Sequence, residues 1–238
     1  MKIDGSSAWK IFSRFLGYLM LAALSLVPVS TAHAAENAEA QAIVDKAKGT
    51  LANFMSDGNY SWLHSHLKTA YGVIIFPQII KAGFFVGGSG GSGVMLVRDT
   101  KTGTWSEPAF YTLGSVTFGL QIGGEAAEVI MLAMNRSAVE SLYSSSIKLG
   151  GNASIALGPV GGGATGEVTA DFVSFAKSKG LYAGINLEGS YIGVRDSLNE
   201  AFYGKSVRPV DIIVRKEVKN SGADELRSAL KNASSTKQ

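Results

Sequence analysis

The sequence predicts an α+β fold: a single domain in which a strongly bent antiparallel β-sheet, or partial barrel, is flanked by N- and C-terminal helices. Helical patterns occur towards both ends of the chain, and the centre consists of short apolar runs broken by glycine, which is typical of strands and tight connections. No linker long enough to separate two domains interrupts this order. Of the 238 residues, 46% are hydrophobic and only 17% are charged, a balance that excludes intrinsic disorder.

Residues 1–34 are interpreted as a signal peptide. Lys2, Lys10 and Arg14 give a positive start, residues 15–29 form an apolar run, and Ala32-His33-Ala34 fits the small-x-small cleavage pattern. The apolar run is shorter than the roughly 20 residues that a retained transmembrane anchor needs. We therefore expect cleavage near Ala34 and a periplasmic or secreted mature protein.

Charge and cysteine content exclude several classes of function. Removing residues 1–34 takes away three basic residues and one acidic residue, so the formal net charge falls from +3 to +1. A generally basic surface for nucleic acid is therefore not supported. The chain has no Cys, which excludes disulfides, thiolate nucleophiles and cysteine-ligated zinc. We expect no nucleic acid, no nucleotide and no cofactor.

The segment of residues 35–69 is predicted to be helical. Over residues 36–54 it lacks proline, is rich in alanine and places apolar side chains at spacings of four, four and three, on one face of a helix. A second short helix is predicted around residues 61–68. The apolar face of the first helix packs either in the core or in a membrane interface, and both alternatives stay open. The residues that would insert into a membrane are Ile43, Ala47, Leu51 and Phe54.

Residues 70–214 are predicted to form a glycine-rich β core. Residues 99–103 have the composition of a hairpin turn that leads from the strand at residues 94–97 to Trp105. Glycine runs such as residues 87–93 would cost stability inside strands, so we expect sharp corners there, or close approach of the backbone to other backbone or to a ligand. Candidate strands lie at residues 72–76, 83–87, 93–98, 109–120, 126–134, 154–157, 165–170, 172–177, 181–187 and 190–194.

Further helices are predicted inside and after this core. One lies near residues 137–143, with Asn135 as its N-cap, and another at residues 197–202. The segment of residues 215–238 is predicted to be a short polar helix at residues 223–230 followed by a tail that frays from Asn232.

Motifs for catalysis and metal binding are weak. Residues 88–93 match G-x-G-x-x-G, but a strand-like apolar run follows where a dinucleotide site needs a helix. Residues 87–91 match the G-x-S-x-G of serine hydrolases, yet every His of the chain precedes Ser89, which reverses the order that those enzymes require. His64 and His66 alone make no metal site. We expect a protein that is not an enzyme; a serine hydrolase using Ser89 is the least favoured alternative.

Basic residues recur at the ends of predicted strands, where a bent sheet could gather several on one rim. Such a cluster would attract anionic lipid headgroups, whereas an evenly solvated surface is the alternative. The candidate lipid-binding residues are Lys68, Lys81, Arg98, Lys177, Lys179 and Arg195. Other basic residues with similar placement are Lys101, Arg136, Lys148, Lys205 and Arg208.

Seven short strings, in one order along the chain, resemble the SYLF domain. Each is weak alone, but together they make the match specific over about residues 40–214. Bacterial members of this family are often described as lipid-binding, and yeast and animal members regulate actin at membranes. The strings are AYGVIIFP at 70–77, AGFFVGG at 82–88, GTWSEPAF at 103–110, GLQIG at 119–123, GPVG at 158–161, KGLYAG at 179–184 and LEGS at 187–190.

The resemblance implies a non-enzymatic domain that binds phosphoinositides or other acidic phospholipids. It assigns this binding to basic residues, Lys81 and Lys179 among them, and to an amphipathic helix that matches residues 42–55. We therefore expect a module that associates with anionic, phosphoinositide-like membrane surfaces. An envelope structural or protein-interaction domain, with an envelope protein as its partner, stays open as the alternative.

Overall fold

The computed structural model describes residues 29–235, except 84–85, 119–122, 144–145, 162–166, 179–180 and 183–186. The chain divides into two compact units, Met1–Ala35 and Glu36–Gln238, and the β-sheet belongs to the second. Most of the predicted signal peptide and the whole of Lys179 lie outside the described residues, as do parts of the candidate strands at 165–170 and 181–187.

Two helices precede the sheet. Helix α1 spans Val29–Met55, so it begins earlier than predicted, and the expected cleavage point near Ala34 lies within it. Asp57 then accepts a hydrogen bond from the backbone N–H of Asn59 and caps a short 3₁₀ turn. Helix α2 follows at Ser61–His66, as the sequence predicted. Among the described helices, none has the length and apolar character that crossing a bilayer requires.

The described strands form one curled half-barrel sheet. They are β1 (Gly72–Gly83), β2 (Val86–Val97), β3 (Ala109–Phe118), β4 (Gly123–Ala133), β5 (Ser146–Lys148), β6 (Ile155–Leu157), β7 (Phe172–Ser178), β8 (Leu181–Tyr182) and β9 (Tyr191–Val194). Their order is β5-β9-β3-β2-β1-β4-β7-β6, and β8 pairs with β7. Neighbours are antiparallel except β6 and β7, which run parallel. The predicted α+β single domain is confirmed.

Apolar residues fill both faces of the central strands. In β1, Val73 and Ile75 face a cluster that includes the buried side of α1, whereas Ile74 and Phe76 face a second cluster. This alternation is the period of two that a strand imposes on its side chains. The register of β1 shifts between Ile75 and Ile80, around Pro77, which lacks the N–H that a regular ladder would use.

The glycine run lies inside β2, paired with β3 along its whole length and with β1 over residues 87–90, and not at the corner that the sequence suggested. The expected close approach of backbone to backbone is confirmed at two positions. A Cβ at Gly91 would collide with the Gln78 carbonyl, and one at Gly93 would collide with the Ile75 carbonyl. Glycine there lets β2 lie against the bulged part of β1, which offsets its entropic cost in a strand.

Four helices complete the described fold: α3 (Arg136–Ser141), α4 (Asp196–Tyr203), α5 (Pro209–Ile213) and α6 (Asp224–Ser235). Asn135 caps α3 by accepting from the Ala138 N–H at 2.8 Å, as predicted. The sequence missed α5 and the short strand β5. The predicted fraying of the C-terminal tail from Asn232 is wrong, because α6 continues to Ser235. The strand predicted at residues 165–170 is also wrong in its described part, since residues 167–170 are irregular.

Candidate functional site: a basic cleft beside the C-terminal segment

A cleft of about 740 Å³ opens beside one end of the central strands. Its walls come from the end of β2 and the hairpin that follows, from α3, and from residues 210–219, with α6 at its side. We name it the basic cleft. Its charged lining, among the described residues, consists of six cations, Arg98, Lys101, Arg136, Lys216, Lys219 and Arg227, and three acids, Asp99, Glu107 and Glu140.

Two of the three acids already have partners. Backbone N–H groups of Thr102 and Lys101 donate to the Asp99 carboxylate at 3.1 and 2.9 Å and hold its pKa below the usual value. These bonds also build the predicted hairpin turn, in which Gly103 has a positive φ of 71°. Glu107 forms an ion pair with Arg227 at 3.0 Å. Because the described lining has six cations and three acids, the cleft keeps an excess of positive charge.

The cations at the mouth of the cleft are exposed and unpaired. Lys101, Arg136, Lys216 and Lys219 are all exposed, and none forms a salt bridge to another described residue. Their charged groups are free to meet an anion from solution.

Arg98 lies deeper than these four. Its backbone N–H donates to the Tyr71 carbonyl at 2.8 Å, and it forms a β-bridge with Trp105. The side-chain Nε is buried and has no hydrogen-bond partner within the described part of the chain. An unmet buried donor costs about 1–3 kcal/mol, so the guanidinium of Arg98 is not fully satisfied by the described residues.

Apolar side chains also line the cleft, on the elements that supply several of its cations. Val139 of α3 and Ile212 and Ile213 of α5 are nearly fully buried, and Val214, which follows α5, is 54% exposed. Asp211 fixes this segment, because it accepts from the Arg208 backbone N–H at 3.0 Å and from Arg215 Nη1 at 2.6 Å. The first of these bonds is the main reason that the pKa of Asp211 lies below its usual value.

The C-terminal helix is fastened to the hairpin by polar contacts. Arg227 Nε donates to the Trp105 carbonyl at 3.2 Å, and Trp105 Nε1 donates to Ser234 Oγ at 3.2 Å. The backbone N–H of Asn220 donates to Glu107 at 3.3 Å. Burial raises the pKa of Glu107, and the positive charge of Arg227 opposes that shift. These contacts hold residues 220–234 against Trp105 and Glu107.

Of the five candidate lipid-binding residues that the structure describes, only Arg98 lines the basic cleft. Lys177 pairs with Asp57 at 2.9 Å, and Arg195 pairs with Glu39 at 3.4 Å, so both already have anionic partners. Lys68 is exposed beyond α2, and Lys81 lies within β1 beside Glu125 of β4. Lys179 lies outside the described residues. The structure thus does not gather these candidates on one rim, although Lys101 and Arg136, which the sequence also singled out, join Arg98.

The four residues proposed for membrane insertion lie in the core. Ile43, Ala47, Leu51 and Phe54 are between 0% and 7% exposed, and they belong to the apolar cluster that contains Val73. This packing corrects the membrane-interface alternative for the first helix. Inserting this face into a bilayer would first expose one side of the sheet to water.

The weak catalytic and metal motifs have structural partners instead. Ser89 and Ser115 lie opposite each other on β2 and β3, with their Oγ atoms 2.7 Å apart. His64 and His66 bond to the carbonyls of Phe54 and Trp62. Within the described ranges, no group of three or more His, Cys, Asp or Glu side chains could hold a metal ion.

Sequence reasoning missed the part of the cleft that comes from residues 210–227. Two signals pointed to it: Pro209, which suits the first turn of a helix, and the three basic residues that lie among two valines and one acid over residues 214–219. Neither signal shows that this segment folds back onto Arg98, because that contact depends on tertiary structure.

Comparison with known proteins relates this chain to one group. The sequence model of a family described as "Ysc84: Las17-binding protein actin regulator" matches residues 114–233. "Protein YSC84" of Saccharomyces cerevisiae is 40% identical over 146 residues, which are 58% of this chain and 31% of that protein. "SH3 domain-containing YSC84-like protein 1" of Homo sapiens is 34% identical over 158 residues, 64% of this chain and 46% of that protein.

"SH3 domain-containing protein PJ696.02" of Schizosaccharomyces pombe is 35% identical over 173 residues, 70% of this chain and 40% of that protein. The chain therefore spans less than half the length of each of these three relatives. The matched residues 114–233 include four of the six cations of the basic cleft, Arg136, Lys216, Lys219 and Arg227.

Proposed function

Because this chain belongs to the Ysc84 family, whose domain is the SYLF domain, we propose that it is a non-enzymatic lipid-binding module that associates with anionic, phosphoinositide-like phospholipid surfaces. The observation that carries the proposal is the charge of the basic cleft: its described lining has six cations and three acids, and four of the cations are exposed and form no salt bridge to a described residue. We place this activity in the periplasm or outside the cell, after removal of residues 1–34.

The magnitude of the attraction is sufficient for measurable binding. Each Lys or Arg near an anionic membrane contributes about 1 kcal/mol, so the four exposed cations together contribute about 4 kcal/mol. That corresponds to a factor of about a thousand in partitioning, which salt would reduce because the charges are exposed. Under this proposal membrane contact is electrostatic, and α1 keeps its apolar face in the core.

The test is flotation of the purified protein with vesicles of phosphatidylcholine alone, or with added phosphatidylglycerol or phosphatidylinositol 4-phosphate. We expect recovery with both anionic vesicles at low salt and its loss at high salt. The double variant Lys216→Gln, Lys219→Gln should bind about thirtyfold more weakly, since it removes two contributions of about 1 kcal/mol.

The matched control is the double variant Lys148→Gln, Lys205→Gln, which removes the same charge from exposed positions outside the cleft. It should bind like the unmodified protein. Equal recovery with neutral and anionic vesicles at low salt would contradict the proposal, and equal loss in both double variants would show that net charge alone matters.

A second candidate, a protein-interaction domain with an envelope protein as partner, is favoured by one other surface. At the far end of β1 to β4 the register places small and apolar residues on one face, where Ile80 is 54% and Val116 is 69% exposed. This glycine-rich face of the sheet consists of Ile80, Gly88, Gly90, Gly114, Val116 and Ala126. Such exposed apolar surface is typical of interaction sites.

Crosslinking in intact cells separates this candidate from the first. A specific neighbour that is lost with Val116→Lys, together with vesicle binding that does not depend on lipid charge, would favour the protein-interaction function. Retained charge-dependent vesicle binding in Val116→Lys would favour the lipid-binding one.

A further inference from the structure

The lining of the basic cleft is amphiphilic, and this suggests more than attraction to a charged surface. Its cations lie among apolar lining residues, which include Val139, Ile212, Ile213 and Val214. A flat bilayer would need only the exposed cations at the mouth. A cleft of about 740 Å³ lies within the range of about 300–1,000 Å³ that is usual for sites that enclose a small ligand.

Arg98 supplies the specific feature inside the cleft. Its Nε is buried without a partner, and the residue forms no salt bridge to a described residue. One guanidinium nitrogen lies so near Gly103 that an added Cβ there would come within 3.6 Å of it. A guanidinium in this position is suited to phosphate or carboxylate oxygens, which it binds through two parallel hydrogen bonds.

The cleft is also held in shape by contacts that several of its own lining residues make. The Glu107–Arg227 pair and the bond from Trp105 to Ser234 fasten the C-terminal segment, and Asp211 fixes the turn before Lys216. A site whose walls are fixed before binding loses less entropy when a ligand enters. These contacts distinguish the cleft from a chance gap between mobile side chains.

We propose that the basic cleft binds one molecule of an anionic amphiphile, a phospholipid whose phosphate lies on Arg98 and whose first acyl carbons lie against Val139 and Ile213. This inference rests on the proposed function but goes beyond it, because membrane association through exposed cations does not require a lipid to enter the protein. The predicted complex contains one lipid per chain.

The experiment uses soluble lipid, so that no bilayer is present. Dihexanoyl phosphatidylglycerol is titrated below its micelle concentration into the purified protein, and calorimetry gives the affinity and the stoichiometry. Two comparison ligands separate the contribution of the charged headgroup from that of the acyl chains. Glycerophosphoglycerol has the same headgroup without chains, and dihexanoyl phosphatidylcholine has the same chains without net charge. We expect one-to-one binding of the first and at least tenfold weaker binding of the other two.

Two variants test the two kinds of lining residue, one cationic and one apolar. Arg98→Gln should weaken the anionic lipid at least tenfold, whereas Val214→Asp, at an exposed position, should weaken the lipid without destabilising the fold. Lys205→Gln is the control and should bind the lipid normally. Circular dichroism melting of each variant distinguishes lost binding from lost folding, and Val214→Asp keeps the test valid if Arg98→Gln does not fold.

The possible outcomes separate the two proposals. Vesicle binding that depends on anionic lipid, together with no stoichiometric binding of soluble lipid, would overturn the cleft inference and leave the proposed function intact. Equal affinity for glycerophosphoglycerol and for the lipid would overturn it in favour of a site for free phosphate compounds. Absence of both soluble-lipid and vesicle binding would overturn both proposals.

Discussion

The first and last described helices cover the same face of the sheet but are held there by different forces. Helix α1 presents a stripe of fully buried apolar residues, Leu51 and Phe54 among them. Helix α6 buries only Leu226 and Leu230 as apolar residues of comparable size, and polar contacts through Arg227 and Ser234 complete its docking. Lys48 of α1 and Glu225 of α6 form an ion pair between the two helices.

This difference indicates how the two ends divide their roles. Apolar burial contributes most of the stability of a fold, so α1 serves mainly to close the core. Polar contacts contribute less but fix orientation, and α6 together with residues 210–219 places cations around the basic cleft. The N-terminal helix is therefore chiefly structural, and the C-terminal segment carries the features that we connect with ligand binding.

The largest expected effect tests the structural role of α1. Phe54 is fully buried and its ring centre lies 4.6 Å from that of Tyr60. Phe54→Ala should lower the free energy of unfolding by about 3–5 kcal/mol, because it removes a large apolar side chain and leaves a cavity. Urea denaturation followed by tryptophan fluorescence measures this change.

Ala52→Gln, on the exposed side of the same helix, is the control and should change the stability by no more than about 0.5 kcal/mol. A membrane-inserting helix predicts the opposite pattern for Phe54→Ala: unchanged stability in solution and weaker vesicle binding. That result would reverse the division of roles between the two ends.

The sequence predicted the elements whose cause is local and missed those whose cause is tertiary. The hairpin at residues 99–103 and the Asn135 cap follow from turn and cap chemistry within a few residues, and both are confirmed. Amphipathic periodicity predicted α1, but the same pattern fits a core and a membrane interface equally well. The choice between them depends on whether a sheet face is available, which one helix cannot reveal.

The candidate site shows the same limit. Arg98, Lys101 and Arg136 could be proposed as basic residues near strand ends, but Lys216 and Arg227 come from more than 100 residues further along the chain than Arg98. The sharp corner expected at the glycine run of residues 87–93 is wrong for a different reason. The run in β2 is unfavourable for an isolated strand, and it is tolerated because β1 approaches so closely at Gly91 and Gly93.

A smaller effect is expected at the polar docking of α6. Arg227→Met removes one partner of the ion pair with Glu107, whose side chain is 7% exposed, while keeping most of the aliphatic volume. A fully buried pair broken this way would cost about 3–5 kcal/mol; because the Arg227 side chain is 32% exposed, we expect about 2 kcal/mol. Hydrogen exchange should show faster opening of residues 224–235 with little change in α1.

Lys231→Gln, on the exposed side of α6, is the control and should leave exchange in the helix unchanged. Uniformly faster exchange over both α1 and α6 in Arg227→Met would show that the two ends form one cooperative unit. In that case, the difference between the apolar packing of α1 and the polar docking of α6 would not affect the motion of the cleft wall.

The smallest expected effect concerns the pH dependence of the same docking. Burial raises the pKa of Glu107 above its usual value of 4.5. In the pH range between 4.5 and the raised value, the folded state therefore binds more protons at this site than the unfolded state does. The contribution of Glu107 is thus most favourable at low pH and declines as the pH rises through this range. Glu107→Gln removes this dependence.

The measurement is the free energy of unfolding of the unmodified protein minus that of Glu107→Gln, followed from pH 4 upwards. We expect this difference to decrease with rising pH and then to become constant above the raised pKa. Asp171→Asn is the contrasting variant. The pKa of Asp171 is lowered mainly by its bond from Asn135, so the contribution of that carboxylate is lost as the pH falls. If the Glu107 difference instead increased with pH, the attraction of Arg227 would outweigh the cost of burial, and the polar anchor of α6 would be strongest in its ionised form.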